Sequence, residues 1–397
     1  MKRISAVVIV TVLFFGVVPG VAQTSWVPVV GSTAATSAGF GDTDNTIAMS
    51  SAVLDGEMYV GTFNFMFGSE VWRSTDGTSW TQVNTDGFGG TDSANNVGAY
   101  SMEVFNSKIY AATWASGYPS SPGAPTKVWR YDDLPAWPQV NNDGFLESSN
   151  AEPWAMEVFP GTTPFLFVGV ANHPEGAELW RAHNGVSWLQ ANTDGFGNVD
   201  NKEIASLTYF DGHLYAATRN DVTGLEVWRT DAPANAWAEV NGTTGFGGAD
   251  HSAGTAMTVF DGYLYLSTFN FSSGGSVYRS SDGLAWSEIV QAQGGFGDAN
   301  NWGSYAMAAH DGALYLGTFN WTTGTEVWRT TNGTSWSQIN ADGFGIQKNY
   351  GVISWAELDG VLYATLRNDE GCQIWRTALF ADGFESGGTT AWSASVP

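Results

Sequence analysis

Apolar and polar positions in this chain alternate with a period of two over short runs, and each run ends in a turn. In ALYLGTFN (313–320) and TEVWRTTNG (325–333), every second side chain suits a core and the intervening ones suit solvent or a neighbouring sheet. Asp-Gly and Asn-Gly pairs break the runs, as expected of tight antiparallel turns. With SYAMAAHDG (304–312) before these runs and TSWSQINADGFG (334–345) after them, the segment reads as four short strands in one antiparallel sheet. The unit recurs. Trp72-Arg73, Trp129-Arg130, Trp180-Arg181, Trp228-Arg229, Tyr278-Arg279, Trp328-Arg329 and Trp375-Arg376 mark seven copies spaced by 47 to 57 residues. A sheet this small cannot bury both faces alone, whereas radial stacking of such sheets can. The expectation is an all-β, seven-bladed β-propeller of four-stranded antiparallel blades.

The ends of the repeat predict how the ring closes. No fourth strand follows Arg376, while TSWVPVVGSTAATSAGFGDTDN (24–45) is a fourth strand without its first three. Trp26 takes the place of Trp80, Trp137, Trp188, Trp237, Trp286 and Trp336, and Gly39-Phe40-Gly41 that of Gly343-Phe344-Gly345. The N-terminal strand is therefore expected to complete the last blade and leave no open sheet edge. The organisation expected is a signal peptide over 1–22, a propeller over 23–377 and a C-terminal tail over 378–397.

Composition narrows the setting. Apolar residues make up 43% and charged residues 14%, the balance of a folded chain, and Gly 49 with Trp 19 suits many strands and tight turns. Lys2 and Arg3, an apolar run from Ile4 to Val18 and the small residues before Gln23 read as a secretory leader cleaved after Ala22. No later stretch reads as a membrane span. Without the leader, 13 basic residues face 39 acidic ones, which disfavours nucleic acid and anionic membranes. Cys372 is the single cysteine, so no intrachain disulfide forms. A secreted or cell-surface monomer is expected.

The turn between third and fourth strands reads STDGTSW (74–80), SSDGLAW (280–286) and TTNGTSW (330–336). It resembles the Asp-box of sialidase-like propellers, one residue shorter between acid and tryptophan. That resemblance implies a folding motif on the face away from an active site. The repeated Arg reads the same way, since a catalytic arginine is needed once and not in every blade. Alternation puts Glu326 and Trp328 on one face of the third strand, and Val327 and Arg329 on the other.

Ligand chemistry is expected on the opposite face. One set of loops carries Asn64, Asn172, Asn220, Asn270, Asn320 and Asn368, followed in most copies by Glu70, Glu178, Glu226 or Glu326. The links between blades read GFGDTDN (39–45), GFGGTDSANN (87–96), GFGNVDN (195–201), GFGGADH (245–251) and GFGDANN (295–301). These amides and carboxylates, beside Phe63, Trp114, Phe269 and Phe319, suit sugar hydroxyls and pyranose faces. The competing reading is that they cap their own turns and fold the crossing between blades. Arg219 and Arg367 replace the usual aromatic and mark an anion site, or else pair with Asp221 and Asp369. Tyr100, Trp154, Tyr305 and Trp355 are expected to line the channel mouth, with His173 and His251 in nearby loops. Asp42 and Asp44 give calcium its candidate ligands, and no other cofactor is implied. The chain has no Gly-x-Ser-x-Gly elbow, P-loop or dinucleotide fingerprint.

ADGFESGGTTAWSASVP (381–397) resembles a short tail at the ends of exported proteins of some Gram-negative bacteria. The repeat itself, FDGxLYxGTxN…GxEVWRT…DGFG, resembles those of bacterial secreted proteins of unknown role. The expected function is a binding module for an extracellular glycan or protein, with carbohydrate the favoured ligand. The alternative is an extracellular polysaccharide hydrolase or lyase.

Overall fold

The computed structural model describes residues 25–89, 96–115, 124–132, 137–231, 236–240, 246–290 and 294–378. The leader 1–22, the tail beyond Ala378 and residues 90–95 of the second link lie outside them. Regular structure in the described residues is β-strand with short 3-10 turns, and no helix is long and apolar enough to cross a membrane.

The alternating runs pair as their turns dictate. Ala306–His310 lies antiparallel to Ala313–Gly317, with His310 opposite Ala313 across the Asp311-Gly312 turn. Ala313–Gly317 pairs Val327–Thr330, which pairs Ser337–Gln338. The same order is built on opening strands Asn45–Leu54, Asn96–Phe105, Ala151–Phe159, Glu203–Phe210, Ala253–Phe260 and Gly351–Leu358, with the fourth strand of the Asn96–Phe105 unit reduced to a bridge between Trp129 and Gln139. The unit begun by Gly351–Leu358 takes its fourth strand from the other end of the chain: Trp26 lies opposite Thr377 and Val27 opposite Arg376. Opening strands pack against their successors along the sequence, and Gly351–Leu358 packs back on Asn45–Leu54.

Aromatic rings hold each unit to the link that precedes it. Phe296 stacks on Trp328 at 4.5 Å and meets Trp336 edge-on at 5.6 Å. Phe40 holds Trp72 and Trp80 likewise, and Phe344 holds Trp375 and the N-terminal Trp26. These phenylalanines sit at positive φ, 60° at Phe40 and 58° at Phe344, a strained conformation for a bulky residue. Such strain costs of order 1–3 kcal/mol. Two ring contacts of about 0.5–1.5 kcal/mol each, added to the burial of the ring, offset it.

The fourth-strand tryptophans tie neighbouring units together, since Trp137, Trp188 and Trp237 donate to the carbonyls of Val83, Val140 and Ala191. The Asp-Gly turn is self-capped. Asp76 accepts the N–H groups of Thr78 and Ser79, which hold its carboxyl below the usual range. Gly77 has φ +69° and lies against the Tyr363 hydroxyl, where a Cβ would sit at 2.0 Å, so only glycine fits. The repeated arginines are occupied by the scaffold: Arg73 meets Glu57, Arg130 forks onto Asp132, and Arg329 bonds the Tyr315 hydroxyl.

Removing residues 24–45 exposes the edge of Gln373–Thr377 and strips Trp26 from Phe344. The thermal midpoint of the shortened chain is expected to fall by more than about 10 °C, on the scale of several kcal/mol. An unchanged midpoint would mean that the N-terminal strand is dispensable.

Candidate functional site

All but one of the opening strands are anchored by a carboxamide. Asn45 donates to the Gly39 carbonyl at 3.0 Å and to Glu70 Oε2 at 2.7 Å, and its own oxygen accepts from Asn64 at 3.1 Å. Asn150, Asn201 and Asn301 repeat the pattern with Glu178, Glu226 and Glu326, and with Asn172, Asn220 and Asn320. Trp72, Trp180, Trp228 and Trp328 donate their indole N–H to the same glutamates. In the last unit Asn349 and Trp375 donate to Gln373 in place of a glutamate, and Asn368 donates to Asn349. His251 replaces the opening Asn in one unit, bonding Thr268 Oγ1 and lying 3.3 Å from Asn270.

This network engages the residues of the expected ligand set. Asn64, Asn172, Asn220, Asn270, Asn320 and Asn368 are buried, and their oxygens cap the loops they begin. Glu70, Glu178 and Glu326 are buried, and Glu226 and His251 half-buried, with their polar atoms turned to the scaffold. The physical reason is the strand pairing, which brings every link against the third strand of the unit that follows. Asp42 is also a turn cap: one oxygen accepts the Asp44 N–H and the other the Asn64 amide. The structure brings no further metal-ligating side chain to Asp42 and Asp44 among the described residues.

The departures from the repeat converge elsewhere. Four residues after each anchoring Asn or His stand Met49, Tyr100, Trp154, Ala205, Thr255, Tyr305 and Ile353, and these line one cavity. They also line a second cavity, walled further by Ser51, Ser101, Ser206 and Ser354. Tyr100 meets Trp154 edge-on at 4.8 Å, and Trp154 lies parallel to Tyr305 at 6.0 Å, so aromatic rings crowd the mouth. Trp355 is two positions further along its strand and packs between units instead, against Trp26 and Tyr315.

Two residues after the anchors, most units carry Gly, Ala or Ile, but two carry Glu152 and Glu203. Gly303 and Gly351 face the rings of Phe269 and Phe319, where a Cβ would sit within 2.5 Å. The slot that supplies this ring in the unit before Glu203 holds Ala171, which leaves room for a longer side chain. Glu203 is 5% exposed and takes Arg219 Nη1 on Oε1 at 3.2 Å. Burial, with help from Glu152 and Asp221, pushes its carboxyl up to about 7. Glu152 accepts the Trp154 indole at 3.3 Å and sits at φ +35°. His173, in the loop after Ala171, brings a ring nitrogen to the pair: the three donor atoms lie within 4.8 Å of one another.

Arg219 lines the first cavity, and neither it nor Arg367 is a bare cation. Arg219 contacts Glu203 and Asp221, both at 3.2 Å, and Arg367 lies over Trp321 with Asp369 at 3.6 Å. Tyr305 is half-buried among these groups, and desolvation pushes its pKa up to about 12. The rim carries apolar surface, including Phe271 at 54% exposure, which meets the Trp302 ring at 5.2 Å. Glu152 and Glu203 escape notice in a reading that follows what the repeats share. Their signal lies in the columns where one copy differs.

No protein-family model matches the chain, and no curated protein matches it. Among solved structures it is similar to an ancestral GH74 enzyme, with 15% identity and a TM-score of 0.57 over 84% of this chain. The chain spans 48% of that enzyme's length. It is also similar to the WD40 β-propeller domain of Doa1, at 10% identity and a TM-score of 0.54, covering 94% of this chain and 100% of that one. These likenesses show the fold, a β-propeller.

The network makes a sharp stability prediction. Glu326→Ala leaves the Asn301 and Trp328 donors unpaired and is expected to cost about 1–3 kcal/mol in a denaturant titration. Glu326→Gln keeps an acceptor, as Gln373 does, and is expected to stay within about 1 kcal/mol of the native chain. Equal losses in the two variants would show that the charge matters more than the acceptor.

Proposed function

We propose that the chain is an exported, seven-bladed propeller, closed by its N-terminal strand, that binds an extracellular carbohydrate at the channel mouth. The return of Gly351–Leu358 onto Asn45–Leu54 and the Trp26–Phe344 contact support the closed ring. The observation that carries the function is the single-copy cluster at the mouth: Glu152, His173, Glu203 and Arg219 beside the rings of Trp154, Tyr305 and Phe271. Ring faces suit pyranose C–H groups, and the carboxylates and guanidinium suit hydroxyls. The charge balance favours a neutral or amino sugar over a uronate, because Arg219 and Arg367 already face Glu203, Asp221 and Asp369. The GH74 likeness extends to the fold and leaves the ligand to be argued from the site.

A second reading, a polysaccharide hydrolase or lyase, is favoured by one feature. Glu152 and Glu203 bring carboxylate oxygens within 4.8 Å, and Glu203 holds its proton up to about 7. A retaining glycosidase places its two carboxyl groups about 5–5.5 Å apart, with one kept protonated as the acid.

A glycan array read together with release of reducing or unsaturated ends separates the two. Binding without product, weakened at least tenfold by Trp154→Ala, is the expected result. Product release abolished by Glu203→Gln would favour the second reading. Silence across neutral, amino and acidic sugars would contradict both.

A further inference from the structure

We propose that Glu152, His173 and Glu203 bind one divalent transition-metal ion, with Zn²⁺ the best fit to their donors, at the edge of the channel mouth. The three residues come from separate elements: the strand Ala151–Phe159, the loop after Phe165–Ala171, and the strand Glu203–Phe210. Their donor atoms lie within 4.8 Å of one another. A four-coordinate zinc ion with bonds of about 2.0–2.2 Å holds its donors roughly 3.4 Å apart, so a small side-chain rotation closes the set.

Two of the ligands are already oriented from behind, and the backbone of the third is tethered. Arg219 holds Oε1 of Glu203, the Trp154 indole holds Oε2 of Glu152, and Lys202 bonds the His173 carbonyl at 2.7 Å. Such outer contacts fix the direction of metal ligands. Two further observations favour an ion here. Glu203 is more than nine-tenths buried and lines the cavity, with Arg219 on its Oε1. Ser252 lines the same cavity, buried, with an Oγ that has no hydrogen-bond partner among the described residues.

The charges agree. Glu203 and Asp221 share one guanidinium, Arg219, and Glu152 brings a further carboxylate to the cluster, an acidic setting that suits a divalent cation. One imidazole with two carboxylates suits zinc better than calcium, which gathers six to eight oxygens. With three protein ligands, positions stay open to water or a ligand hydroxyl. The site does not depend on the carbohydrate reading, and the two fail separately because metal is measured without sugar.

The test is titration of chelator-treated protein with ZnCl₂, MnCl₂ and CaCl₂ by calorimetry, with bound metal counted after dialysis. Zinc is expected to bind at one ion per chain, more tightly than manganese or calcium. His173→Ala, which alters an exposed side chain, and Glu203→Gln should each weaken it by about tenfold or more, with native thermal unfolding. Asp42→Asn should leave it unchanged. Absence of zinc binding, equal retention by His173→Ala and Glu203→Gln, or tighter calcium binding at this site would overturn the assignment.

Discussion

The buried polar anchor at the head of each opening strand, an Asn in all units but one, is the constraint on which the rest of the fold depends. Asn301 satisfies a link carbonyl, a third-strand glutamate and the first residue of the next loop at once. Each of those groups would otherwise lose a buried hydrogen bond, at about 0.5–1.5 kcal/mol apiece. The Asn also fixes the link in the geometry that puts Phe296 at positive φ between Trp328 and Trp336. Polar satisfaction and aromatic packing are therefore one interaction seen from two sides. Remove the amide, and the strained phenylalanine loses the frame that holds it.

That arrangement explains why so many polar side chains on one face are unavailable. Asn64, Glu70 and their counterparts look like a multivalent ligand surface because they are numerous, polar and close to loops. They are numerous because the scaffold needs one set per unit. What is free to differ is what the scaffold does not consume: the columns two and four residues after each anchor, and the residue after each loop asparagine. Glu152, Glu203, Tyr100, Trp154, Tyr305 and His173 all fall in those columns.

The strands and their turns were legible in the sequence, because alternation and Asp-Gly pairs are local signals. The pairing of Trp26–Val30 with Gln373–Thr377 was legible from the missing strand at one end and the surplus strand at the other. The network was not. Whether a carboxamide caps its own turn or reaches a ligand depends on which carbonyl the link brings near, and that distance is set by tertiary pairing. The Glu203 pocket was hidden for a related reason, since it needs Ala171, some thirty residues earlier, to leave a ring's space empty. Arg219 and Arg367 were visible as departures, but their carboxylate partners turn an expected anion site into a mouth of mixed charge.

Two glutamates in adjoining units offer the most direct test of the division between scaffold and site. Glu178 belongs to the repeated network and Glu203 to the single-copy cluster. Thermal unfolding and ligand or metal binding should be measured together on Glu178→Ala and Glu203→Gln. The account predicts that the first loses stability and keeps binding, while the second keeps stability and loses binding. Loss of binding in Glu178→Ala while it remains folded, or undiminished binding in Glu203→Gln, would contradict it.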